Sequence, residues 1–168
     1  LEGEERQEMK FYNRLADAFT PIAKLFGSEF ANEVAYDSLQ VHGGSGYMKD
    51  YACERLFRDA RILNIYEGTT QLQVVAAINH VTKGTFLEQI LRYEEGERSE
   101  ATAALGAHLV ELRKKFESAV ERVETLDKEA QRFKDFHSRR LVEIAGYILI
   151  SHIMLRQATE LESEYLNA

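Results

Sequence analysis

One carboxylate, Glu67, stands in the run Ile65-Tyr66-Glu67-Gly68-Thr69-Thr70, between an aromatic ring and a glycine. Thr69 or Thr70 can cap the helix that starts there, because a threonine hydroxyl accepts a bond from an otherwise unpaired backbone N–H. Leu72, Val75, Ala76 and Val81 then recur at roughly helical spacing. A carboxylate that loses hydration against an aromatic ring binds its proton more strongly and becomes useful as a general base. Such a base suits removal of a weakly acidic C–H proton beside a carbonyl. The alternative is structural: Glu67 sits in the turn and its charge favours the helix N-terminus.

A second unusual segment is His42-Gly43-Gly44-Ser45-Gly46-Tyr47, which follows a helical pattern carrying Phe30, Val34, Leu39 and Val41. Three glycines in four residues point to a left-handed or closely approached backbone. Exposed N–H groups in such a turn can cradle a phosphate. A helix C-cap followed by a tight turn explains the same glycines without a ligand. The dinucleotide fingerprint needs a preceding strand and a different glycine spacing, so it is not present.

Taken together, three blocks resemble one family. Gln40-Val41-His42-Gly43-Gly44-Ser45-Gly46-Tyr47, then Glu54-Arg55-Leu56-Phe57-Arg58-Asp59-Ala60-Arg61-Ile62, then Ile65 through Gln73 resemble the C-terminal helical domain of acyl-CoA dehydrogenases, in order and spacing. The resemblance covers about residues 10–83; the remainder is similar to a helical extension found in some members. It implies an all-α fold: an antiparallel helical bundle over residues 1–83, followed by a long helical hairpin over residues 84–168 packed on it.

The resemblance also implies roles. Glu67 matches the base that takes the pro-R α-proton of an acyl-CoA thioester while the β-hydrogen leaves as hydride to FAD. Its backbone N–H, with a flavin hydroxyl, would bond the thioester carbonyl where charge develops. Gly68 matches a position beside the substrate and Tyr66 an aromatic bordering the acyl pocket. Gln40, Val41, His42, Gly43 and Gly44 match a segment that touches the ADP part of a neighbouring subunit's FAD. Thr69, Thr70 and Gln71 match further FAD contacts. Electron-transfer flavoprotein is the implied electron acceptor, and a homo-oligomer, dimer or tetramer, the implied assembly. The presence of Glu67 favours the short- and medium-chain arrangement over branches that supply the base from another helix. An acyl-CoA oxidase and a non-catalytic helical interaction module are the alternatives.

The family's N-terminal helical domain and middle β-domain are not in these 168 residues. The opening Leu1-Glu2-Gly3, without Met, is what an excised piece would show. Since the hard chemistry belongs to the flavin, this polypeptide alone is expected neither to hold FAD tightly nor to turn over acyl-CoA. Composition agrees with an ordinary folded protein: 45% hydrophobic, 29% charged, one Pro and no Trp. The net charge of −7 is spread along the chain, so nucleic acid is not an expected partner. The single Cys53 excludes an internal disulfide and suits a reducing compartment. A bacterial cytoplasm is expected, with a mitochondrial matrix the other option.

The elements that must position these groups follow from spacing. A helix is expected over 3–18, and a second from Thr20-Pro21 to about Val41, with Pro21 in the first turn. The glycine turn, a helix near Tyr51–Ile62, the Glu67 loop and a helix from Thr69 to about Val81 come next. Gly84 is expected as a C-cap, before a short helix over Phe86–Tyr93. Ser99 caps a helix striped by Leu105, Leu109, Leu112, Phe116, Val120 and Val123. A turn near Thr125–Asp127 leads, with Asp127 as cap, to an antiparallel partner carrying Phe133, Phe136, Leu141, Ile144, Ile148, Leu155 and Leu161.

The apolar run Leu141–Leu155 is interrupted by Glu143, Ser151 and His152 and is expected to be a buried helix rather than a membrane span. The five histidines are scattered without an i, i+4 pair, so no metal is expected. His42 can lie near a phosphate or stabilise its own turn. Arg55 and Asp59 are spaced for an ion pair, and Cys53 is expected as a small buried hydrophobe.

Overall fold

The computed structural model describes residues 3–96, 98–129 and 132–166, of which 127–129 and 162–166 are described by their backbone alone. Six α-helices follow one another: α1 (Glu4–Tyr47), α2 (Ala52–Arg61), α3 (Thr70–Val81), α4 (Gly84–Glu94), α5 (Glu100–Glu129) and α6 (Phe133–Leu166). A 3-10 turn, Ile62–Asn64, extends α2, and no strand occurs among the described residues. The fold is all-α, as the sequence implies. Helix α1 packs on α2 and α3, α3 also on α6, and α5 pairs with α6. That last pair is antiparallel, since Thr102 near the start of α5 meets Thr159 near the end of α6, their hydroxyls 3.1 Å apart. The two helices are about 45 and 51 Å long at helical rise.

One apolar core joins both halves of the chain. Ile22, Leu25 and Phe26 of α1, Val74, Ala77, Ile78 and Val81 of α3, and Phe86 and Ile90 of α4 form one side. Phe116, Val120 and Val123 of α5 with Leu141, Val142, Ala145, Ile148 and Leu149 of α6 form the other. Gly146 of α6 packs directly against Phe26 of α1. A Cβ on Gly146 would lie 2.1 Å from Phe26 Cε2, so α6 crosses α1 where a side chain is missing.

Several sequence expectations are corrected. The first two helices are one, α1, running through Thr20-Pro21. A proline inside a helix costs about 3 kcal/mol; here it is buried beside Ala18, Ile22 and Leu25, whose burial offsets the loss. The break comes instead at Gly43 (φ 58°, ψ −139°). Gly84 begins α4 rather than capping α3, which closes at Thr82. There the Thr82 N–H and hydroxyl both donate to the Ile78 carbonyl.

Helix α5 continues through Thr125–Asp127 to Glu129, so Asp127 lies within α5 and is not the residue from which α6 starts; its side chain lies outside the described residues. Ser99 does cap α5: the Thr102 N–H donates to Ser99 Oγ, and the Ser99 N–H to Thr102 Oγ1, a reciprocal arrangement. Leu105, Leu112, Phe136, Ile144 and Leu161, expected on the apolar stripes, are exposed. Within α6, Phe133–Leu161 is long and apolar enough to cross a membrane by length and composition alone, yet its inner face fills the core.

Candidate functional site

The segment from Ile62 to Thr70 turns tightly between α2 and α3. Glu67 has φ 53° and Gly68 φ 94°, two successive left-handed residues. Only glycine takes such a φ without penalty, so Gly68 is explained locally and Glu67 carries strain. Gly68 is also crowded, because a Cβ there would lie 2.6 Å from Gln73 Nε2. That amide donates to the Glu67 carbonyl at 3.0 Å and approaches the Gly68 carbonyl at 3.4 Å. Thr69 is the N-cap of α3, its hydroxyl accepting from the Leu72 N–H at 3.4 Å.

Helix α1 pins both ends of this turn. Asn32 Nδ2 is 2.8 Å from the Ala60 carbonyl, 2.8 Å from Asn64 Oδ1 and 2.9 Å from the Ser28 carbonyl. Lys24 Nζ donates to the Leu63 carbonyl and lies 5.4 Å from the centroid of the Tyr66 ring. Thr70 Oγ1 donates to Glu29 Oε1 at 2.8 Å. Lys24, Glu29, Asn32 and Gln73 were not singled out in the sequence. The hydrogen bonds of the three α1 residues to the turn span 28 to 41 residues, and no local period marks them.

Glu67 and Tyr66 are exposed, Tyr66 at 46%. The desolvation expected of Glu67 against Tyr66 is therefore not supplied within this chain: the ring takes Lys24 as its neighbour, and the carboxylate stays in water. The Glu67 N–H has no hydrogen-bond partner among the described residues and is free to donate. Helix α3 has two apolar faces. Val74, Ala77, Ile78 and Val81 are buried, whereas Leu72, Val75 and Ala76, the positions first noted, are exposed on the side of the turn.

A polar cavity of about 560 Å³ opens beside the turn, lined by Thr69, Thr70, Gln71, Arg61, Asn64 and Arg139 among others. Gln40, Val41, His42, Gly43 and Gly44 are all exposed at the end of α1. They are not gathered with Glu67: Gln40 lies about 16 Å further along α1 than Glu29, the residue that meets Thr70. A Cβ on Gly43 or Gly44 would meet nothing within 4 Å; one on Gly46 would meet the Leu39 carbonyl at 2.7 Å. Gly43 is set by its φ and Gly46 by close approach. His42 Nδ1 lies 2.8 Å from the Ser38 carbonyl, so that nitrogen carries the hydrogen and steadies the helix end.

On α2 the ion pair is Glu54–Arg58 at 3.6 Å, one position back from the expected Arg55–Asp59. Cys53 is half-buried rather than buried, in an apolar groove with Phe30, Val34 and Leu56.

A model of the family described as "Acyl-CoA dehydrogenase, C-terminal domain" matches residues 5–81, and one described as "Acyl-CoA dehydrogenase C terminal" matches residues 82–168. The chain belongs to the acyl-CoA dehydrogenase family, and its all-helical fold is that of the family's C-terminal region. It is 46% identical over 68 residues to a 3-(aryl)acrylate reductase of Clostridium sporogenes, covering 40% of this chain and 18% of that protein. With an acyl-CoA dehydrogenase of Bacillus subtilis it shares 47% over 64 residues, 38% of this chain and 17% of the relative. With subunit CarC of the caffeyl-CoA reductase-Etf complex of Acetobacterium woodii it shares 50% over 52 residues, 31% and 14%. The chain thus spans about a fifth or less of the curated relatives it matches.

Proposed function

We propose that this chain is the C-terminal part of an FAD-dependent acyl-CoA dehydrogenase that introduces an α,β double bond into an acyl-CoA thioester, with Glu67 as the α-proton base. The supporting observation is the paired geometry at one residue. Glu67 is exposed, and its backbone N–H has no hydrogen-bond partner among the described residues, on the same left-handed turn. The N–H can donate to the thioester carbonyl, where negative charge grows as the α-proton leaves. The carboxylate can take that proton. Gly68 brings no side chain of its own to the turn, where the Gln73 amide takes the space one would need, and exposed Tyr66, Leu72 and Val75 offer apolar surface for an acyl chain.

The residues present suit the outer parts of a flavin nucleotide. The cavity beside α3 presents the Thr69 hydroxyl, the Gln71 amide and the Arg61 guanidinium, donors matched to ribityl and phosphate oxygens, while the Thr70 hydroxyl, whose hydrogen goes to Glu29, can accept. Gln40 through Gly44 would hold the ADP part of a second subunit's FAD, which agrees with their distance from Glu67 and requires a homo-oligomer. When bound, the flavin accepts the β-hydrogen as hydride. We assign residues 1–83 to the catalytic C-terminal domain and 84–168 to an extension packed on it, within a cytoplasmic enzyme. The chain by itself is inactive under this reading, because the surfaces that would enclose a flavin ring are not among its residues.

Two of the relatives are named as reductases, one of them as a subunit of a complex with Etf. They favour a second direction for the same site, in which Glu67 returns a proton to the α-carbon of an unsaturated thioester. The same names support electron-transfer flavoprotein as the redox partner. The test is anaerobic mixing of the full-length flavoprotein with a saturated and with an α,β-unsaturated acyl-CoA. Bleaching of the oxidised flavin by the saturated thioester supports the dehydrogenase. Reoxidation of reduced flavin by the unsaturated one alone supports the reductase direction. No spectral response to either contradicts both.

A further inference from the structure

Glu29 stands where three helices meet. Its Oε1 accepts the Thr70 hydroxyl at 2.8 Å and lies 3.9 Å from Arg139 Nη2. Arg139 belongs to α6 and is itself fixed by Glu143, which accepts from its Nε at 2.7 Å. A continuous run of contacts therefore leads from the C-terminal hairpin, across α1, to the first residue of α3. That residue is three positions from Glu67.

The Glu67 turn has reason to need such pins. A left-handed glutamate followed by a left-handed glycine persists only where the surrounding structure holds both ends. The entry to the turn is held by Asn32 and Lys24, the exit by Gln73 and by Glu29 through Thr70. Of these, Glu29 is the pin that touches the hairpin. Glu29 and Arg139 also line the cavity that Thr69, Thr70 and Gln71 share, and Glu143 lines the neighbouring cavity between α1 and α6.

We propose that Glu29 and Arg139 are positioning residues, through which the helical hairpin holds the start of α3 and with it the Glu67 turn. The proposal gives residues 84–168 a role at the site, and it rests on reading the Glu67 turn as that site. The coupling is modest, because Arg139 and Glu29 are 52% and 37% exposed and an ion pair in water is worth little. It acts on local order rather than on the global fold.

The test is the amide spectrum and hydrogen exchange of the isotope-labelled 168-residue chain at residues 67–71. Arg139→Gln and Glu29→Gln are expected to move the Gly68–Gln71 amides in the same direction. They should also speed their exchange by about two- to fivefold, the range an exposed pair supports. Glu29→Gln keeps an acceptor for Thr70 and removes only the charge. The double variant should go no further than either single one, Arg139→Lys should restore part of the effect, and Arg156→Gln should leave these amides alone, although Arg156 has a similar pair with Glu160. Wild-type amides in Arg139→Gln, or strictly additive changes in the double variant, would overturn the proposal. Neither readout uses flavin or acyl-CoA, so the coupling can fail while the dehydrogenase reading stands, and the reverse.

Discussion

The side-chain amide of Gln73 donates to the main-chain carbonyl of Glu67 at 3.0 Å, folding the first turn of α3 back over the loop that precedes it. This bond sets the direction of the Glu67–Gly68 peptide and fills the space a Gly68 side chain would need. The geometry of the proposed base is thus fixed by a residue six positions ahead of it.

Gly68→Ala tests that arrangement. The new Cβ meets Gln73 Nε2 at 2.6 Å and sits at φ 94°, so the amide must withdraw and the backbone is strained as well. Thermal unfolding should report a loss of about 1–3 kcal/mol. Gln73→Ala, which removes the bond without the strain, should cost less than Gly68→Ala.

A second prediction concerns the contact that seats α6 on α1. Gly146→Ala places a methyl 2.1 Å from Phe26 Cε2, and Phe26 is also held edge-on by Tyr147 at 5.0 Å. Overpacking of this kind costs about 1–3 kcal/mol, readable in urea unfolding. Combining it with Phe26→Leu should recover part of that loss. Purely additive losses would place the clash elsewhere.

His152 gives a pH dependence with a definite sign. It is 1% exposed, neither ring nitrogen has a hydrogen-bond partner among the described residues, and burial pushes its pKa below the usual 6.5. Glu94, 3.8 Å away, opposes that shift, while Arg98 and Arg113 reinforce it and the Tyr93 ring stacks alongside. Glu94 is already engaged by Arg113 at 2.7 Å, which leaves it a weak partner for an imidazolium. The unfolded chain binds a proton near pH 6.5 that the folded chain refuses, so stability falls as pH drops from there toward the folded pKa and changes no further below it. Unfolding free energies between pH 7.5 and 5 should show this slope, and His152→Leu should make it shallower. An unchanged slope in that variant would contradict the account.

Helix identity was legible where apolar spacing and caps agreed, as at Ser99 and Thr69. It was less legible where tertiary packing overrode local chemistry. Pro21 reads as the start of a new helix, where its missing N–H costs nothing, but it lies buried between Ala18 and Leu25 inside one continuous helix. Gly84 resembles a C-cap in sequence, yet Thr82 already satisfies the end of α3 through Ile78. Leu72 and Val75 share helical spacing with Val81, but they belong to a second apolar face that this chain leaves open. At the site, the turn and its glycine could be read from six consecutive residues. Glu29, Asn32 and Arg139 could not, since each acts on a partner at least 28 residues away and no local period marks it.

The central claim is that Glu67 removes the α-proton of an acyl-CoA thioester. Its most direct test is stopped-flow reduction of the flavin by acyl-CoA in the full-length protein carrying Glu67→Gln. The account predicts that the variant keeps its FAD and that flavin reduction slows by about 10²-fold or more. Reduction at the wild-type rate, with FAD bound as before, would contradict it.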